Sequence, residues 1–415
     1  MGGSGVRETS HILIAAAALL LAVSPSIDAR PYAGVSGLAA SADSAATAGT
    51  NPAGAARLDA TTARAELIVV QSESTWEGRV GAQEADISSE NSTTVVVPAV
   101  YAVHPINDDL TFSFTFLGFG YSDDFGEWPG QYFIESYDSL SVSAYPSLAY
   151  RVSDRLSIAG SLALTYASFS QERAIANVFD PGFADGTSEL ETDGIDVGFG
   201  LSALYELSGQ TRLGLVYNSE LDPTQDGEAK FRGLGPNTEQ VLDRAGFIGA
   251  DVEVKSTTPQ SLLAGIYHEW DNDHAVVVDL AWADTSNFEL SEYYFDGEQL
   301  SAHEANWQDV WALSGSYSWP VSDRWMLSAG GMYVSSMTED DDRIFMLRMD
   351  EIWGLAVAGE WQWTEDRTVE INFSYLTIGD APIESPALPL VGAVTGEYSQ
   401  RDIFMLRLAL NWSRF

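Results

Sequence analysis

The chain has 415 residues, and 60 Asp+Glu against 20 Lys+Arg give it a formal net charge of −40. Such a polyanion repels nucleic acid, which excludes that partner. At 45% hydrophobic and 11% aromatic it is also too apolar to be an acidic disordered chain. There is no cysteine, and lysine occurs only at Lys230 and Lys255, so the acid has to sit on a folded, solvent-facing surface such as the run Glu339–Asp342.

The N-terminus reads as a cleavable export signal over residues 1–29. Arg7 lies in a polar leader, Ile12 to Val23 are twelve apolar residues, and Ser24, Pro25 and the small Ala29 follow. Twelve helical residues are too few to cross a hydrocarbon core of roughly 30 Å. Residues 30–62 form a second unit. The stretch Ala39 to Leu58 is small, polar and helix-permissive, and it directly precedes the first predicted strand. It is expected to fold as a plug, the alternative being a loose tail.

From residue 63 to 415 the dominant signal is a period of two. Leu110, Phe112, Phe114 and Phe116 alternate with Thr111, Ser113 and Thr115. Leu156, Ile158, Leu162, Leu164 and Tyr166 alternate with Ser157, Ala159, Ser161, Ala163 and Thr165; Val369, Ile371, Phe373 and Tyr375 alternate with Glu370, Asn372 and Ser374. One face is large and aromatic, the other small and polar, as expected for lipid outside and a crowded or wet bore inside. Fourteen strands are predicted, starting near residues 63, 92, 110, 137, 155, 192, 211, 251, 274, 306, 324, 351, 368 and 401. An even number allows closure, and lipid offers an open edge no partner.

Connections alternate between short turns (105–109, 152–155, 208–211, 271–273, 321–324 and 364–367) and long acidic loops. Tyr150, Tyr205, Trp270, Trp319, Trp325, Trp363 and Trp412 collect beside the short turns, as an interfacial girdle would. The last strand ends on Phe415, one residue out of step with Leu408, Leu410 and Trp412, which calls for a bulge near Ser413. The fold class expected is all-β: a 14-stranded antiparallel transmembrane barrel with a small N-terminal plug in its lumen.

Several stretches resemble the FadL-like family of outer-membrane transporters of long-chain fatty acids and other hydrophobic compounds. The most specific is Ser41-Ala42-Asp43 leading to Asn51-Pro52-Ala53, similar to that family's N-terminal hatch. Others are residues 128–132, 146–157, 258–261 and 282–288. The resemblance spans the mature chain and implies fourteen strands, capture of a hydrophobic ligand by external loops, an interior site, and a hatch that rearranges to open a lateral exit. It also implies a bacterial outer-membrane location. The loop 170–191 is short and the acidity is unusual for the family, which leaves long-chain fatty acids and aromatic hydrocarbons both open as substrates.

A fatty acid needs an apolar slot and a cation for its carboxylate. The candidates are Val178, Phe179 and Phe183 in the third long loop, and Phe231, Leu234, Phe247 and Ile248 in the fourth. Lys230, Arg232 and Arg244 are the candidate cations. The bland alternative for each is loop packing or a salt bridge to Glu228, Glu239 or Asp243. Pro98 and Pro146 fall inside the second and fourth predicted strands, flanking Gly118 and Gly120 in the third. Proline removes a ladder donor and glycine weakens a strand, so a kinked wall with a sideways exit is expected there. No cofactor, metal site or catalytic constellation is predicted: the five histidines have no metal spacing and there is no G-x-S-x-G elbow. Besides hydrophobic ligands, the expected partners are outer-membrane lipid and lipopolysaccharide, the latter through divalent cations on the acidic loops. Two rival readings are a structural or adhesion barrel that transports nothing and a porin for polar solutes.

Overall fold

A computed structural model describes residues 36–80, 87–124, 131–132, 135–255, 257–287, 292–301, 306–340, 343, 350–388 and 392–413. The segments in chain order are β1 (Thr62–Val80), β2 (Ile87–Pro105), β3 (Leu110–Asp124), β4 (Ser136–Ser153), β5 (Leu156–Ile175), β6 (Gly186–Glu206) and β7 (Thr211–Asn218). Next come β8 (Thr224–Arg232), β9 (Asp251–Lys255), β10 (Ser261–Glu269), β11 (Ala275–Ala283), β12 (Glu292–Phe295) and β13 (Glu298–Ser301). The last are β14 (Val310–Ser322), β15 (Trp325–Val334), β16 (Ile352–Thr364), β17 (Arg367–Ile378), β18 (Ala381–Leu388) and β19 (Gly392–Ser413). Five wall strands are each split in two (β7/β8, β9/β10, β11/β12, β13/β14, β17/β18), so the sheet is a closed 14-stranded antiparallel barrel. Closure runs from Thr62 opposite Ser413 to Val80 opposite Val394.

The alternation sets the two faces. Phe112, Phe116, Ile158, Leu162, Ile371 and Phe373 are exposed on the outside, while Thr111, Ser113, Thr115, Asn372 and Ser374 are buried within. Exposed Tyr150, Tyr205, Trp270, Trp325 and Trp363 sit beside the short turns, and Trp325, Trp361 and Trp363 stack in a row. The short turns fall where expected. At the other end the strands outrun their predicted starts: β2 begins at Ile87 rather than 92, β6 at Gly186 rather than 192, and β19 at Gly392 rather than 401. Above the lipid, backbone pairing continues without apolar outer residues, so alternation fades before the ladder does.

Inside the first and last strands, charges are paired. Arg64 is fully buried; its Nε lies 2.9 Å from Glu66 Oε2 and its Nη1 2.9 Å from Glu370 Oε2. Tyr101 donates to Glu66 Oε1 at 2.7 Å, and Arg64 Nη1 donates to Asn411 Oδ1 at 3.2 Å. Arg407 Nε stands 4.0 Å from Glu66. Two arginines and two glutamates thus balance in a low-dielectric band where an unpaired charge would be costly.

Residues 36–56 break the strand pattern and are almost wholly buried. They carry a short helix, α1 (Thr47–Thr50), and a 3-10 turn, Pro52–Arg57. Their small alanines pack on Ala99, Tyr101, Val103, Leu117, Ala149 and Leu204, all on inner wall positions. The proposed signal (1–29), part of the predicted plug (30–35) and Phe415 lie outside the described residues.

Candidate functional site

The inner segment is held by polar groups that the strand pattern aims into the bore. Asn51 Nδ2 donates to Ala39 O at 2.6 Å and Ala203 O at 3.1 Å, and its Oδ1 accepts from Ala53 N at 3.1 Å. Ala53 N also reaches Ser202 Oγ at 3.0 Å, and Pro52 opens the 3-10 turn, where its missing N–H costs nothing. On the wall, Asp279 accepts from Gly37, Leu38 and Ala39 N–H at 2.5, 3.1 and 3.2 Å. Arg212 lies 3.8 Å over the Tyr267 ring and donates to Ala40 O at 3.0 Å, to Ser41 O and to Asp43 Oδ1 at 3.0 Å. Arg151 caps Ala56 O, and Arg57 pairs with Glu206.

Beside this segment runs an apolar inner surface. Leu38, Val216, Leu263, Val310, Val334, Ile352, Leu376, Ile378 and Ile403 form one buried cluster, joined by Trp307, Met332 and Met337. Arg401 faces inward opposite Ile378 and two residues before Ile403. Its Nη1 donates to Gly379 O at 2.6 Å, and the buried Arg343 pairs with Asp340 at 2.9 Å and Asp350 at 3.4 Å. An apolar surface with two buried guanidinium groups suits an elongated amphiphile. A separate cavity of ≈ 120 Å³ lies between Ala48–Pro52 and the inner faces around Tyr145, Ser202 and Asn218.

The β2–β3 ladder ends early. β2 pairs with β1 from Ile87 to Val103, but with β3 only from Pro105 opposite Thr111 to Ala99 opposite Leu117. Among the described residues the β2–β3 pairing stops short of Pro98 and Gly118, although β3 stays paired to β4 as far as Asp124. Pro98 has no N–H to give, and its ring lies within 4 Å of where a Gly118 Cβ would stand. Pro146 faces Phe114, and the β4–β5 ladder skips it and Tyr145 before resuming at Ala144 opposite Leu164. Thr94, Gly120 and Leu140 border an open hollow of ≈ 820 Å³ beside the seam.

The predicted ligand set is divided. The third and fourth long loops do meet: Asn177 donates to Gly233 O at 3.0 Å, and Asp180 accepts from Thr238 N at 2.8 Å at the start of α2 (Pro236–Arg244). Val178, Phe179 and Phe183 are exposed there, Leu234 and Ile248 are half-buried, and Phe247 packs edge-on against Phe295 at 5.2 Å. However, Lys230 and Arg232 do not share a face with Phe231. The chain between Tyr217 and Thr224 shifts the register by one residue. Phe231 therefore lies opposite the buried Ser188, while Lys230 points outward and pairs with Glu191 at 2.5 Å and Glu228 at 3.0 Å. Arg232 pairs with Glu189 at 2.6 Å, and Arg244 is exposed on α2. Consecutive strand residues point to opposite faces, so Lys230 and Arg232 cannot serve the same pocket as Phe231. Sequence reasoning missed Arg212, Asp279, Arg343 and Arg401; the signal available for Asp279 was its place on the inner side of Ala275–Ala283, between apolar Val277 and Ala281.

The chain matches known proteins along its length. The profile described as outer membrane protein transport protein (OMPP1/FadL/TodX) matches residues 8–405. A long-chain fatty acid transport protein of Escherichia coli O6:H1 is 24% identical over 371 residues, covering 82% of this chain and 83% of that protein. A Pseudomonas aeruginosa FadL homologue superposes with a TM-score of 0.83 at 15% identity, covering 95% of this chain and 99% of that one. The Pseudomonas putida toluene transporter TodX gives 0.64 at 14% identity, with 94% and 98% covered. With the family profile spanning nearly the whole wall and the inner segment, the chain belongs to the outer-membrane transport family OMPP1/FadL/TodX, whose members carry hydrophobic compounds.

Proposed function

We propose that this barrel conducts long-chain fatty acids passively across the outer membrane, after export through a cleaved signal at residues 1–29. In this reading, exposed Val178, Phe179 and Phe183, with Phe231, Leu234, Phe247 and Ile248, collect the ligand at the mouth. Lys230, Arg232 and Arg244 lessen the repulsion an anion meets on an acidic rim. Residues 30–62 act as a hatch pinned by Asn51, Pro52 and Ala53, and the ligand leaves sideways where Pro98, Gly118, Gly120 and Pro146 interrupt the wall. The observation that carries the reading is the unpaired β2–β3 seam beyond Ala99 and Leu117, in the wall of a bore that carries an apolar patch on its inner surface. A polar-solute porin would have no use for either. The E. coli relative's name supports fatty acids; the toluene transporters share the fold and make aromatic hydrocarbons the second substrate class. The acidic loops would hold divalent cations against lipopolysaccharide.

Labelled oleate uptake in a strain lacking other importers tests the substrate. Pro98→Ala with Pro146→Ala should restore ladder bonds and lower uptake without impairing folding; unchanged uptake would end the lateral-exit reading. Swelling of proteoliposomes in sugars would instead favour a porin.

A further inference from the structure

Four inner-face positions lie side by side on adjacent strands. Gly214 on β7 is opposite Gly265 on β10, Gly265 is opposite Asp279 on β11, and Asp279 is opposite Ser314 on β14. The two glycines leave a floor with no side chains: a Cβ on Gly214 would stand 1.8 Å from Ala39 O, and one on Gly265 2.1 Å from Asp279 Oδ1. The backbone of residues 37–40 lies flat on this floor. Gly37, at φ 88°, turns three successive N–H groups toward one point, and that point is occupied by the Asp279 carboxylate, 2% exposed. Convergent backbone N–H groups of this kind are a general anion seat. Leu38 and Ala39, between those donors, belong to the apolar cluster with Val216, Leu263 and Ala281. A carboxylate seat therefore adjoins an apolar surface, inside a transporter read above as carrying carboxylates with apolar tails.

We propose that the Gly37–Ala39 seat is a carboxylate-binding site for the transported molecule, and that Asp279 is an internal competitor which fills it at rest. An arriving carboxylate offers the three N–H groups the same charge-assisted bonds that Asp279 gives them. As it takes the seat, residues 37–39 lift from the glycine floor, and Asp279 is left facing an opened bore where water solvates it. The energy that shifts the segment is the ligand's preference for the released form over the docked one. A hydrophobic molecule without an acid group cannot compete for the seat, so residues 37–39 also discriminate among hydrophobic ligands.

This inference rests on the fatty-acid reading, and the test separates the two. Binding of dodecanoate and of dodecanol to the purified full-length protein in non-ionic detergent at pH 8 would be measured by calorimetry, for the natural chain, Asp279→Asn and Asp279→Ser. Removing the competing charge should tighten dodecanoate roughly tenfold in both variants and leave dodecanol unchanged. In the natural chain, saturating dodecanoate should speed hydrogen exchange at residues 40–43, which follow the lifted seat and lose their contacts with Arg212 on the wall. Equal dodecanoate affinity in all three proteins would overturn the proposal. So would equal tightening of both ligands, which would mark a merely loosened segment. Failure of the natural chain to bind either ligand would sink the fatty-acid reading itself.

Discussion

Gly214 offers a direct measure of how firmly the inner segment is seated. In Gly214→Ala the new methyl stands 1.8 Å from Ala39 O and 2.3 Å from Ala39 C, so about 1.6 Å of movement is needed to reach an ordinary 3.4 Å contact. The wall cannot supply it, because Gly214 is laddered on both sides, opposite Leu204 and Gly265. The segment must move, and the Ala39 N–H bond to Asp279, already 3.2 Å long, goes first. Hydrogen bonds to charged groups are worth about 1.5–3 kcal/mol, and overpacking costs about 1–3 kcal/mol. A loss of about 2–3 kcal/mol raises the opening equilibrium of residues 37–43 roughly 30- to 150-fold. Amide hydrogen exchange followed by mass spectrometry on the purified protein reads that change directly, with the β1–β6 amides as internal reference. Gly209→Ala, a position with nothing within 4 Å of the added methyl, is the matched control. Exchange at 37–43 as slow as in the natural chain would refute the claim that the two-glycine floor sets the segment's position.

Asn51→Ala removes two donated bonds and one accepted bond from a buried site, so the inner segment should loosen by about 2–4 kcal/mol, seen as protease cleavage near Pro52. Arg64→Met removes the arginine that Glu66 and Glu370 share and should cost about 3–5 kcal/mol, lowering the temperature at which the folded gel band is lost; adding Glu370→Gln should recover part of it. Desolvation pushes the Asp180 carboxyl up, but donors from Thr238 and Asn237 outweigh it and hold its pKa below the usual aspartate value. A lowered folded-state pKa stabilises above the unfolded value and is lost as pH falls through the folded one. Exchange protection of α2 should therefore be complete at neutral pH and fade only below the ordinary aspartate range, near about 3.9. Asp180→Asn should leave α2 protection low and independent of pH over the same window; protection unchanged from the natural chain would refute the capping role.

The barrel was legible because lipid imposes a period of two on the outer face, and runs such as Leu110–Phe116 and Val369–Tyr375 record it without help from tertiary context. The short turns were legible for the same reason, as the alternation stops on both sides of Asp154-Arg155 and Asp323-Arg324. Prolines 98 and 146 marked the wall's irregular region because a missing donor is a property of the residue itself. Lys230, Phe231 and Arg232 were grouped as loop residues, but β8 extends through them, and consecutive strand residues point to opposite faces; the extra residue after Tyr217 decides only which of them faces the bore. Inner-face residues such as Asp279 and Arg212 were hidden for a different reason. Their partners come from Gly37 to Asp43, more than 160 positions away, and composition carries no trace of such pairing.

The buried quartet of Arg64, Glu66, Glu370 and Arg407 bears on assembly. Arg64 meets groups 306 and 347 residues further along the chain. While the sheet is still open, Arg64 and Glu66 lie together with Tyr101 at one rim, and the other rim carries Glu370 and Arg407. Each half of the quartet is thus electroneutral before they join, so burying it in the last zippering step neither gathers nor expels net charge, and its formation should barely respond to salt even in a protein this acidic.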